Sequence, residues 1–221
     1  MGDMLAKELF SHSINKFKIK TMSVEEKKES CLYVGADDSN NHDKNRAKIV
    51  CATFSILPED SGDFLSIRIP KIEDFDKWLK GSKHREYRFG LLTDPEFMKM
   101  QPILPFCLPR LILDYVPNMG YFPKQIFIGI DGPLPRRQGE YLQKYLGNYF
   151  REGVSVVGFV KRKAEKARTP KRERDEMPPL IGMAHIKAKH IYNNLSDYVE
   201  SARLVELGAE RLKNIYRDVM R

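Results

Sequence analysis

Two acidic residues end two runs of nearly the same sequence. Tyr33-Val34-Gly35-Ala36-Asp37 and Phe127-Ile128-Gly129-Ile130-Asp131 both read aromatic, β-branched, glycine, apolar, aspartate. Each run has the length and composition of a buried strand. If the two strands are parallel neighbours, their terminal carboxylates lie about one strand spacing apart, ~5 Å. Two ionised carboxylates that close repel, and each raises the other's pKa unless a cation sits between them. Open α/β sheets carry their sites at the carboxyl ends of strands. Asp38 follows Asp37 directly and adds a third acid. Oxygen donors of this kind suit Mg²⁺ or Mn²⁺. A single aspartate also ends strands merely by bonding turn amides. The repeated lead-in is what favours a site.

The elements that must position these acids are legible along the chain. Residues 1–30 read as a polar helical extension, with Met4–Phe17 as its helix. Cys31–Asp37 and Lys48–Leu57 read as strands, separated by an Asn/Asp/Ser-rich loop. Pro58–Gly62 is a turn, and Asp63–Ile69 alternates as a hairpin partner. Ile72–Leu79 reads as a helix. A basic stretch, Gly81–Phe89, ends in a strand near Tyr87–Phe89. Asp94-Pro95 has the form of an N-cap and first helical residue, and Pro109–Val116 is a further helix. Gln125–Asp131 and Val154–Val160 are strands around a helix at Arg137–Phe150. Helices follow at Leu180–Asn193 and Ser196–Met220, the latter with apolar residues at helical spacing. An antiparallel meander followed by strand–helix alternation predicts an α/β fold: a mixed central sheet with helices on both faces. The expected division is an extension at 1–30, a catalytic domain at 31–194 and a C-terminal amphipathic helix at 195–221.

Of the 221 residues 42% are hydrophobic, enough for a core, and no apolar run approaches the ~18 residues of a membrane span. No Cys/His grouping suggests zinc. Cys31, Cys51 and Cys107 lie far apart and read as buried thiols, so a cytoplasmic setting is expected. The formal net charge of +8 favours a polyanionic partner. Much of it is concentrated: Lys161, Arg162, Lys163, Lys166, Arg168, Lys171, Arg172 and Arg174 stand against Glu165 and Glu173. Such a run is either a nucleic-acid path or a solvated loop.

Three segments together resemble ribonuclease HII. Val34-Gly35-Ala36-Asp37-Asp38 is similar to that family's first motif, an apolar strand followed by Gly-apolar-Asp-Glu. The run ending at Asp131 is similar to its second. Asp175, Pro179, Leu180, Ile181, Gly182, Ala184, Ile186, Ala188 and Lys189 fit its third, in which an Asp precedes a Pro by four residues and a helix with Ile-x-Ala-Lys follows. The resemblance implies a ribonuclease H-like fold and a four-carboxylate site: Asp37, Asp38, Asp131 and Asp175. Two Mg²⁺ or Mn²⁺ ions would serve in-line attack of water on a phosphodiester, one at the nucleophile and one at the leaving oxygen. The basic run and Lys189 would face the nucleic acid, whether RNA/DNA hybrid, RNA or DNA. Ser39-Asn40-Asn41-His42 replaces the family's Ala-Gly-Arg-Gly, and no Gly-Tyr-Pro element follows the last helix. Asp131-Gly132, Pro135-Arg136-Arg137, Gly139, and Gly182 with His185 more weakly resemble endonuclease V.

His42 and His185 are candidates for accessory roles, orienting water or substrate. Tyr141, Tyr145 and Tyr149 form a stripe that either stacks bases or packs against the sheet. No P-loop, Gly-x-Ser-x-Gly, His-Glu-x-x-His or dinucleotide fingerprint is present, and neither an organic cofactor nor a membrane is expected as partner. The alternatives to a metal-dependent nuclease are a nucleic-acid-binding protein of the same fold without turnover, and an interaction module using the C-terminal helix.

Overall fold

The computed structural model describes residues 31–39, 47–61, 71–100, 102–159 and 179–220. The His42 loop, the 1–30 extension, the predicted strand at 63–69 and the basic run with Asp175 lie outside them.

The described chain forms β1 (Cys31–Asp38), β2 (Lys48–Ser55), a single turn α1 (Pro58–Ser61) and α2 (Ile72–Lys80). It continues through β3 (Glu86–Leu92), a short α3 (Pro95–Lys99), α4 (Leu104–Tyr115) and β4 (Gln125–Asp131). The last elements are α5 (Arg136–Gly147), β5 (Gly153–Phe159), α6 (Pro179–Asn193), a two-residue β6 (Leu204–Val205) and α7 (Ala209–Met220). The strands form a mixed sheet in the order β5-β4-β1-β2-β3-β6. β1–β2–β3 is antiparallel, and β4 and β5 run parallel to β1. The expected fold class is thus observed.

Side-chain alternation divides the core in two. Leu32, Val34 and Ala36 of β1 join Val50, Ala52 and Phe54 of β2 under α4, α5 and α7. Ile49, Cys51, Tyr87 and Phe89 face the other way, under α2 and α6. Asp37 shares this second face, and Asp38 the first. The tyrosine stripe sides with packing: Tyr141, Tyr145 and Tyr149 lie partly buried against the first core. Cys51 and Cys107 are buried and unpaired as disulfides. Burial pushes the Cys31 thiol up to about 11. No described helix is long and apolar enough to cross a membrane.

One expectation is overturned here. The chain from 196 to 220 is not one helix. Leu195–Asp197 forms a 3-10 turn, and Leu204–Val205 pairs in parallel with Phe89–Gly90 at the sheet edge. Gly208, at φ 68°, then resets the backbone before α7. Leu204 and Val205 have helical spacing but serve an edge strand, where β-branched residues fit equally well.

The two lead-in glycines explain how α6 is seated. Gly35 and Gly129 are register partners in the β1–β4 ladder. A Cβ on Gly35 would lie 2.2 Å from the Leu180 carbonyl carbon, and one on Gly129 would lie 3.0 Å from Ile181 Cδ1. The first turn of α6 therefore rests directly on the sheet. Thr53 Oγ1 sits between them, donating to the Leu180 carbonyl at 2.8 Å and lying 3.3 Å from the Gly35 carbonyl. Gly35→Ala should lift this turn. The expected cost is about 1–3 kcal/mol, as for other overpacked cores, or roughly 2–4 °C in Tm per kcal/mol. Thermal unfolding followed by circular dichroism measures it. An unchanged Tm would show that α6 is not held down at this point.

Candidate metal centre

The β1–β4 ladder ends with Ala36 opposite Ile130. One residue further along each strand stand Asp37 and Asp131, side by side on the α6 face. The seating of Leu180 over Gly35 makes α6 run in the same sense as β1. His185, five residues further along, is thereby carried to Asp37. Its Nδ1 lies 2.6 Å from Asp37 Oδ2. The other Asp37 oxygen, Oδ1, accepts from the Asp38 amide at 2.6 Å. One ligand atom from each of Asp37, Asp131 and His185 lies within 4.8 Å of the other two.

The electrostatics are those of a crowded acidic site. Burial pushes the Asp37 carboxyl up from 3.8 to about 6. The His185 hydrogen bond opposes this, and the nearby Asp131 charge adds to it. The sign of the linkage is definite. Between pH 3.8 and about 6 the folded protein binds more protons at Asp37 than the unfolded chain does, so this group's stabilisation falls as pH rises. It is fully present below the unfolded pKa and lost above the folded one. Two pKa units correspond to roughly 3 kcal/mol. In metal-free buffer, the stability of Asp37→Asn relative to the unsubstituted protein should therefore increase from pH 4 to pH 7. Urea unfolding of both proteins across that range tests this. A difference that does not vary with pH would mean Asp37 is not a buried, repelled carboxyl.

Asp38 is not brought into the cluster, which corrects the expectation of an adjacent acidic pair. Neighbouring strand residues point to opposite faces, and Asp38 Oδ2 lies 2.8 Å from Lys48 Nζ on the far face. Lys48 is fully buried there. Lys189 is exposed one turn beyond His185. Of the expected site residues, the structure brings together Asp37, Asp131 and His185. Asp175, His42 and the basic residues lie outside the described chain.

Carboxylate oxygens with one imidazole nitrogen form a donor set for a divalent cation. Burial and the Asp131 charge raise the Asp37 carboxyl against the opposing His185 contact, and a cation bound between the two carboxylates would favour its charged form.

No family model and no curated protein matches the sequence. Solved structures show weak similarity. Bst-RNase HIII in complex with Mn²⁺ aligns at 15% identity and TM-score 0.43, over 76% of this chain and 54% of that one. A chain of the PCNA:RNase HII complex from Archaeoglobus fulgidus aligns at 15% and 0.39, over 76% and 75%. The ribonuclease H2 from Pyrococcus horikoshii OT3 aligns at 12% and 0.40, over 77% and 76%. Likenesses this slight say nothing about what the chain does.

Proposed function

We propose that this protein is a divalent-metal-dependent nuclease of ribonuclease H-like fold that hydrolyses phosphodiester bonds. The observation that carries the reading is the convergence of Asp37, Asp131 and His185 at the carboxyl ends of two parallel strands. Asp37 and Asp131 would hold the metal, joined by Asp175, which the ribonuclease HII-like motif places in the same set. Mg²⁺ or Mn²⁺ bound there would supply the Lewis acidity that activates water and stabilises the leaving oxygen. His185, through its bond to Asp37, fixes the orientation of that carboxylate. Were the other His185 nitrogen, Nε2, to join the set, it would favour Mn²⁺ over Mg²⁺ relative to an all-oxygen site.

The protein's own contribution is charge placement. Asp37 is nearly buried and rigidly bonded through both oxygens, so it needs little reorganisation to act. The replacement of Gly-Arg-Gly by Ser39-Asn40-Asn41-His42 removes the residues with which ribonuclease HII reads a ribose beside the cut. The substrate class therefore stays broad: RNA-containing or structured nucleic acid.

The deciding experiment is a cleavage assay on single- and double-stranded DNA, RNA, RNA/DNA hybrid and ribonucleotide-containing duplex, with Mg²⁺, Mn²⁺ or EDTA. Metal-dependent cutting of at least one substrate is expected, with Mn²⁺ the better activator. Salt-sensitive binding with no cutting under any condition would replace the nuclease with a binding protein of the same fold.

A further inference from the structure

We propose that a polar cavity on the sheet face opposite Asp37 binds a small phosphate monoester of nucleoside-monophosphate size. The cavity encloses about 310 Å³, near the lower bound of ligand pockets, ~300 Å³. It opens between the turn before β3 and the turn after α4. Lys83, His84, Arg88, Tyr115, Asn118 and Tyr121 are in its lining.

Arg88 is the buried anchor, only 7% exposed. Its Nε donates to Asp114 at 2.9 Å and its Nη1 to the Tyr87 carbonyl at 2.8 Å. Its guanidinium lies 5.5 Å from the centre of the Tyr115 ring. No described residue takes up its Nη2, which is left as a donor for a guest. Lys83 and His84 at the rim also have side chains that no described residue pairs. Glu86 lines the cavity too, but Arg203 holds its carboxylate at 2.6 and 3.4 Å. Arg88 is thus paired with Asp114 through Nε and lies 3.8 Å from Glu86 through Nη1, while its Nη2 and the side chains of Lys83 and His84 are left for a guest.

A phosphate monoester presents a charge of about −1.5 to −2 and three acceptor oxygens. A planar guanidinium and an ammonium are the usual partners for such a group. Burial pushes the Tyr115 hydroxyl up to about 12. The phenol therefore stays protonated at neutral pH and adds no charge against the anion. The Tyr115 ring is stacked on Phe54 beneath Arg88, and the partly exposed Tyr121 and Met119 in the lining give the remainder of the ligand an apolar surface, as a nucleoside requires.

The test is calorimetric titration of the full chain, in EDTA, with adenosine 5′-monophosphate, inorganic phosphate and adenosine. The comparison protein carries Lys83→Ala and His84→Ala, both in a turn, so that folding is preserved. The monophosphate should bind at least tenfold more tightly than adenosine and than inorganic phosphate, and the double substitution should weaken it tenfold or more. Equal binding of monophosphate and adenosine would overturn the phosphate recognition, and equal binding of monophosphate and inorganic phosphate would overturn the nucleotide-sized ligand. Unchanged affinity in the double variant, or no binding at millimolar ligand, would overturn the site. Because this cavity lies across the sheet from Asp37 and Asp131, none of these outcomes bears on the nuclease reading.

Discussion

Asp131→Asn should lower metal-dependent cleavage by on the order of 10³-fold while leaving the metal-free protein at least as stable as before. Losing one preorganised hydrogen-bond donor at a reacting centre costs about 10²–10³ in rate, and a metal ligand should stand at the upper end. The stability expectation has a separate origin. Asp131 raises the Asp37 carboxyl by its charge, so neutralising it relieves repulsion in the empty site. Asp38→Asn is the informative contrast. Its carboxylate holds the fully buried Lys48 at 2.8 Å. Removing that charge strands a buried cation, at a cost of about 3–5 kcal/mol. Asp38→Asn should therefore melt lower yet keep its cleavage per folded molecule. The two substitutions dissociate activity from stability in opposite directions. Cleavage rates and melting curves of both variants, with and without Mn²⁺, decide the matter. If Asp131→Asn melted lower and still cut, Asp131 would be a strand-ending turn residue and the metal centre would lose its second ligand.

The strands bearing Asp37 and Asp131 were legible because continuous apolar runs bounded by polar residues leave few other readings. Their adjacency was legible too, since the later strand–helix alternation implies parallel pairing. What the pattern concealed was facing. Asp37 and Asp38 look like a pair in one dimension, yet the strand continues through Asp38. Its period of two then sends Asp38 to the opposite face, where Lys48 pairs with it. The repeated glycine was visible, but its reason was not. Only the approach of the Leu180 backbone to Gly35 shows that the position must lack a Cβ. His185 had only the weak Gly182–His185 resemblance as a local signal, because its role depends on where the first turn of α6 rests. Had Pro179 been taken as the first helical residue and Leu180 placed over Gly35, helical rise alone would have brought His185 to the level of Asp37.

Replacing Lys163, Lys166, Arg168 and Lys171 with Ser should weaken nucleic-acid binding and flatten its salt dependence. The residues themselves lie outside the described chain, but the described residues that flank them belong to the elements next to the candidate site. On one side, Phe159 of β5 is the register partner of Asp131, and its carbonyl accepts from the Gly132 amide. On the other, Pro179 opens the helix that carries His185. Eight Lys and Arg stand between 161 and 174 in the sequence that joins these two described ends. A site of two aspartates repels phosphate, so a nuclease requires positive charge along the path of the backbone. If each replaced residue neutralises one phosphate of duplex DNA, the log–log salt slope shrinks by ~0.9 per residue, or about 3.6 for all four. Over the fourfold change from roughly 50 to 200 mM salt, that slope amounts to about 10²-fold in affinity. Titrations at several salt concentrations, in EDTA so that cleavage does not intervene, measure affinity and slope together. A solvated linker would behave differently: its charges would be paired with bulk counterions in free and bound protein alike, and removing them would change neither quantity. An unchanged slope would take the segment out of substrate binding and leave Lys189, exposed one turn beyond His185, as the expected cation to be tested in its place.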